Sequence, residues 1–221
     1  MKKVKFMIAA AMMTVACGTV RAAEGNELGD NAHNAEVKSH RVLVMGIQDN
    51  VTSNYFVKDM LAENTDIKED SVCYIYNKVI EDNLSAMAKK AKSEWAFVTD
   101  KDNDNEWQKL LENVRTVGEA ENRSSDLAFV NKDNLQELLA DAGASYLLLL
   151  DSHYLKYQEV PFKTVFHYVN YSLYDANKQK LAQGSNYFTS INPQTEGQMI
   201  KSSRKSAAKM VDAVENILQT K

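Results

Sequence analysis

Asp151, Ser152 and His153 stand next to one another in "GASYLLLLDSHYLKYQ", residues 143–158, and they are the three residue types of a hydrolytic triad. A triad needs the serine hydroxyl on the histidine and the histidine on the carboxylate, a geometry normally assembled from distant parts of a chain. Here the four leucines ahead of Asp151 read as a strand buried on both faces, on which successive side chains alternate. Asp151 and His153 are then expected on one face with Ser152 on the other. No Gly-x-Ser-x-Gly elbow surrounds Ser152. Contiguity therefore argues for a strand leaving the core, not for a nucleophile.

Three other groupings could do chemistry. If the following turn centres near Val160 and Pro161, His153 faces His167 across a hairpin, and with Asp151 gives three metal-ligand types; a slip of one residue removes the coincidence. Asp100, Asp102 and Asp104 occupy the first, third and fifth positions of a calcium loop, but Asn105 stands where glycine is needed and Leu111 where the bidentate glutamate belongs. A solvated acidic turn capping the next helix is the simpler reading. Cys73 sits beside an apolar stripe and reads as an inert thiol. With no CxxC pair, phosphate loop or spaced nucleophile, neither a catalytic residue nor a cofactor or metal site is assigned. The non-catalytic reading leaves a contact surface, and the aromatic series around the hairpin supplies one: Tyr154, Tyr157 and Tyr168 are the candidate partner-interface residues, since tyrosine is enriched at interfaces.

The start of the chain bears on compartment. Residues 1–22 have a basic start, an apolar run from Phe6 to Ala16 and a small-residue exit, the pattern of a secretory signal peptide. Two exits are open: cleavage before Ala23 after Val20-Arg21-Ala22, or acylation of Cys17 in "TVACG", which resembles a lipobox with Thr14 where leucine is usual. Removal of residues 1–22 takes Lys2, Lys3, Lys5 and Arg21 and no acid, so the 26 basic residues fall to 22 against 30 acidic ones. A chain that acidic lacks the basic footprint of a nucleic-acid binder. Membrane attachment is expected only through a lipid on Cys17, and a periplasmic or outer-membrane location follows. Residues 23–40 are polar and aperiodic, a flexible tether, and 41–221 are expected to form a single α/β domain.

The elements that must position these groups follow from periodicity. "RVLVMGI", 41–47, is a buried first strand; helices are expected behind a Ser53 or Asn54 cap and from Asp70 or Ser71, the second with Val72, Ile75, Tyr76, Val79, Ile80, Leu84 and Met87 on one stripe. A second strand over 93–99 precedes a helix through Val117, a loop over 118–126, and a short helix capped by Asn131 or Asp133 and closed by Gly143. After the leucine strand, 161–175 and 181–190 alternate and make an antiparallel meander with it. A helix over 197–219, striped by Ile200, Ala207, Val211, Val214 and Leu218, must cover one face. The expectation is a mixed sheet of about five strands, with strand–helix alternation giving way to the three-strand meander and the C-terminal helix.

The segments "RVLVMGI", "LLADAGASYLLLLD", "YSLYDANKQKLAQGS" and "SSRKSAAKMVDAVENIL" resemble, in that order, the α/β domain shared by the N-terminal domain of the Tol-Pal translocation protein, the curli secretion lipoprotein and the lipoprotein activators of penicillin-binding proteins. The resemblance spans 41–218 and is specific over 139–190, while 93–130 depart from it. It implies a cell-envelope domain working by contact with an envelope protein, and carries over no catalytic residue. A small-ligand carrier or an envelope hydrolase built on His153 and Asp151 are the alternatives.

Overall fold

The computed structural model describes residues 40–99 and 104–220; the leader, Cys17, the tether and most of the calcium-loop acids lie outside the described residues. The first strand, β1 (Arg41–Gly46), is followed by a three-residue strand β2 (Val51–Ser53), helix α1 (Lys58–Thr65), the 20-residue helix α2 (Val72–Ala91) and β3 (Ala96–Val98). Then come α3 (Asp104–Leu111), the short strands β4 (Arg115–Val117) and β5 (Ser124–Asp126), and α4 (Lys132–Asp141). The long strands β6 (Tyr146–Gln158), β7 (Thr164–Asp175) and β8 (Lys180–Ser190) precede α5 (Glu196–Ser202) and α6 (Arg204–Gln219).

The main sheet runs β3-β1-β6-β7-β8, with β1 parallel to β3 and β6, and with β7 antiparallel to both β6 and β8. This is the mixed sheet and meander expected. β2 adds a sixth strand that was not foreseen: it resumes the pairing of β1 along β6, Val51 lying beside His153 after β1 ends with Gly46 beside Leu150. Leu147, Leu148, Leu149 and Leu150 are all fully buried, because both faces of the sheet are covered here. Leu148 and Leu150 join Val42, Val44, Ile80, Leu84 and Val211 under α2 and α6. Leu147 and Leu149 join Leu43, Trp107, Leu135 and Leu139 under α3 and α4. Gly143 closes α4 with φ 60, a left-handed conformation that glycine takes without steric cost.

Two expected boundaries are corrected. The helix expected through Val117 stops at Leu111, where Asn113 Nδ2 donates to the Lys109 carbonyl, and residues 115–126 form the antiparallel β4–β5 ribbon instead of helix and loop. Strands of three residues with no apolar alternation offer no period to read. The C-terminal helix is interrupted at Ser203, whose hydroxyl donates back to the Met199 carbonyl and accepts from Asn83 Nδ2, a side-chain bond that competes with the helical ladder.

The candidate binding face

Alternation along β6, β7 and β8 sends one set of side chains toward α2 and α6 and the other to the opposite face. On the second face α3, α4 and the β4–β5 ribbon cover the β1–β6 half. Beyond that cover Tyr154, Phe166, Tyr168 and Tyr187 stand together. Tyr154 pairs directly with Tyr168, and Tyr168 with Tyr187. Their ring centroids lie 6.4 and 5.6 Å apart, and Phe166 closes the group at 6.2 Å from Tyr168 and 6.0 Å from Tyr187. Tyr187 is 58% exposed and the other three rings are half-buried. Aromatic rings have few rotatable bonds, so a cluster of four on adjacent strands has little side-chain freedom to lose. At one border Lys156 Nζ lies 3.1 Å from Glu121 Oε1; this hydrogen bond raises the lysine pKa, while that of Glu121 is lowered first by a backbone hydrogen bond and then by Lys156.

Of the three residues proposed from the sequence, the structure unites Tyr154 and Tyr168. Tyr157 lies on the other face, 4.7 Å from the Tyr55 ring and 5.7 Å from Phe56. Odd and even positions cannot share a face of one strand. Phe166 and Tyr187 complete the patch; the signal available for them was the period of two in "TVFHYV" and "SNYFTS", which needed the register to be used.

The triad residues separate further than alternation alone requires. A bulge between Leu150 and Ser152 shifts the β6–β7 register, and Asp151 is the extra residue. Asp151 accepts from Ser172 Oγ at 2.6 Å, and Ser152 Oγ accepts from Asn170 Nδ2 at 2.9 Å. Asn170 also donates to the Ala120 carbonyl, which places Ser152 toward the ribbon side. His153 points to α2, with Nε2 2.9 Å from Asn77 Oδ1. The expected sharing of a face by Asp151 and His153 is therefore overturned by the bulge: Asp151 and Ser152 fall on one side and His153 on the other.

Burial pushes Asp151 up to about 6, against the pull of Ser125, Ser172 and Lys180. Below the Asp151 carboxyl the ribbon is pinned to the sheet. Tyr174 Oη and Lys180 Nζ donate to the Ser125 carbonyl at 2.7 and 2.6 Å, and burial raises Tyr174 to about 12.

Nor do the histidines converge. His153 lies opposite Val169 and His167 opposite Leu155, two residues from the expected register, so the imidazoles are diagonal neighbours. Asp151 lies across the sheet. Among the described residues no three His, Cys, Asp or Glu side chains come together to hold a metal. Desolvation lowers His153 to about 3 and His167 to about 4, so both are neutral at pH 7. Asn77 Oδ1 also accepts from Asn50 Nδ2 at 2.9 Å, while Asn77 Nδ2 donates to the Ile47 carbonyl. With its oxygen facing two neighbours and Asn50 donating, His153 carries its proton on Nε2. This buried asparagine–histidine network was not foreseen. Cys73 is half-buried with a free thiol.

Fold and site define an α/β domain with a mixed sheet, helices on both faces and an uncovered aromatic patch on the meander. No family model and no curated protein matches the sequence. Among solved structures, the chain is similar to the PelC dodecamer from Paraburkholderia phytofirmans, with TM-score 0.38, 9% identity and coverage of 77% of this chain and 87% of that one. It is also similar to the LpoB C-terminal domain from Salmonella enterica, with TM-score 0.34, 10% identity and coverage of 69% and 85%. A third is the lipoprotein GNA1162 from Neisseria meningitidis, with TM-score 0.32, 14% identity and coverage of 82% and 99%. At these TM-scores the likeness assigns no function, which is argued from the chain's own residues.

Proposed function

We propose that this chain is an exported cell-envelope protein that acts without catalysis, binding a protein partner through the aromatic face of its meander. The observation that carries the reading is the four-ring patch of Tyr154, Phe166, Tyr168 and Tyr187, left outside the layer that covers the rest of that face. The leader pattern of residues 1–22 supports export, and the segments resembling envelope domains support a contact role. A tether over 23–40 has a root-mean-square reach of roughly 20–25 Å, which would keep a form lipidated at Cys17 near its membrane. Among the described residues no helix is long and apolar enough to cross a membrane.

The test is a photoreactive residue in place of Tyr187, activated in intact cells, followed by pull-down. The expected result is one envelope protein captured by the parent chain and lost when Tyr154 and Tyr168 are both changed to serine. Capture of the same set by both chains would sink the face as an interface. Export is checked separately by the mass of protein from cell envelopes: a start at Ala23 or an acylated Cys17 is expected, and a start at Met1 contradicts it.

A further inference from the structure

The helical layer of α2, α5 and α6 gathers positive charge. Leu84 and Ala88 of α2 share a core with Ala207 and Val211 of α6. Asn83 Nδ2 donates to Ser203 Oγ at 2.8 Å, and the Glu94 N–H donates to Glu215 Oε1 at 3.3 Å. These partners are 120 and 121 residues apart, so the two helices run side by side in one direction, with Lys89 level with Lys209. Opposite the buried stripe of α6 stand Lys205 and Lys209, with Arg204 beside them and Lys201 in the last turn of α5. The end of α2 adds Lys89, Lys90 and the capping Lys92. All seven are exposed, and none takes part in the ion pairs among the described residues. Three carboxylates share this layer with them, Glu94, Asp212 and Glu215, while Asp82 and Glu196 already hold Lys78 at 3.0 and 3.5 Å. Beyond residue 22 the chain has 30 acids against 22 bases, so a positive excess on one face is a concentration of cations, not a sample of the whole surface.

The arrangement says what kind of anion suits it. Eight residues of helix carry Lys201 and Lys209 roughly 12 Å apart, and α2 lays a second row about 9 Å to the side. The cations are spread over two helices instead of converging on one point, so a single phosphate meets one or two of them and an array of phosphates meets them all. The chain also enters the fold here. His40 stands edge-on to Trp95 with ring centroids 5.0 Å apart, and the Trp95 N–H donates to Ser93 Oγ, two residues past the end of α2 at Ala91. The 39 residues ahead of His40 therefore join the fold beside residues 89–92. With a lipid on Cys17, a flexible connection would hold this edge within roughly 25 Å of a bilayer.

We propose that the outer face of the α2, α5 and α6 layer docks on an anionic phospholipid bilayer. This extends the expectation of membrane attachment through Cys17 alone. The reading of the chain as an exported envelope protein supplies the setting, but binding to vesicles needs neither export nor a protein partner. The aromatic face lies on the other side of the sheet, so one side can meet lipid while the other meets protein, and either proposal can fail without the other.

The experiment is flotation of the whole purified chain with vesicles of phosphatidylcholine, alone or with about one-third phosphatidylglycerol. The expected result is binding about a hundredfold tighter to the anionic vesicles, lost between about 0.05 and 0.5 M salt. Lys205→Gln with Lys209→Gln should weaken that binding about tenfold, and adding Lys201→Gln and Arg204→Gln should bring it near the level of neutral vesicles. Lys68→Gln, Lys109→Gln, Lys132→Gln and Lys163→Gln together remove as many exposed charges elsewhere and should leave the preference within about threefold. Equal binding to both kinds of vesicle overturns the proposal. So does a preference that survives the first four substitutions, one that falls equally with the second four, or soluble polyphosphate displacing the chain from vesicles at equal phosphate concentration.

Discussion

His153 and Asp151 are consecutive but for one residue, and burial disfavours the charged form of each, so their pKa values move in opposite directions. For His153 and His167 the folded pKa values lie near 3 and 4, below the ordinary 6.5, so the unfolded chain takes up protons first as pH falls. Stability is lost from about pH 6.5 downward, by about 2 kcal/mol per histidine at pH 5. Asp151 works the other way: raised to about 6 from 3.8, it binds its proton more readily folded, and returns about 1 kcal/mol by pH 5. Urea denaturation should therefore show a net loss of about 2–3 kcal/mol between pH 7 and pH 5. Asp151→Asn removes the opposing contribution, so its stability relative to the parent should fall between pH 6 and pH 4; parallel profiles would show that Asp151 is not perturbed.

The same network gives a second expectation. Asn77→Ala leaves Asn50 Nδ2 and the His153 Nε2 proton without their shared acceptor and should cost about 2–4 kcal/mol, read as a lower urea midpoint at unchanged slope. Asn50 Nδ2 keeps the Leu150 carbonyl, which holds the loss toward the lower end of that range.

At the scale of elements, β8 is held by a close approach rather than by bulk. Gly184 pairs with Tyr171, and a Cβ there would come within 2.4 Å of Tyr171 Cζ. Tyr171 belongs to the core under α2 and α6, so it cannot swing aside freely. Gly184→Ala should cost about 1–3 kcal/mol by overpacking, and calorimetry would show it as a lower melting temperature. The neighbouring sequence was informative where periods were long. The leucine run, the stripe of α2 and the alternation of β7 and β8 identified the sheet and its covering helices, because burial on a face enforces a period over ten or more residues. What escaped were features set by single contacts: the Asp151 bulge, the Ser203 interruption, and the three-residue strands β2, β4 and β5, which the ladders of longer partners or local side-chain bonds decide. The candidate face was legible in part for the same reason. Tyr154 and Tyr168 follow from alternation and a hairpin of nearly correct register, whereas Tyr157 was assigned by composition and fell on the other side.

For the whole molecule, the layers make a separable prediction. The rings of the aromatic face cover no second layer, so Tyr154→Ser with Tyr168→Ser should cost under about 2 kcal/mol, the worth of a cross-strand aromatic pair and partial burial, while abolishing partner capture. Loss of folding in that double variant would instead make the face part of the core.

β8 also ends the sheet. Among the described residues nothing pairs with its outer side, and from Leu181 to Ser190 it carries no charged side chain. A strand of 11 residues, uncharged after Lys180, with its backbone donors and acceptors facing outward is a template for another strand, the situation that edge lysines and prolines elsewhere prevent. Because Tyr187 lies on this strand, the proposed recognition surface and the open hydrogen-bonding edge are contiguous, and selection for contact here runs against selection for remaining monomeric. Sedimentation should show association that grows with protein concentration and recedes with Ser185→Lys, a charge placed on the rim that leaves all four rings in position.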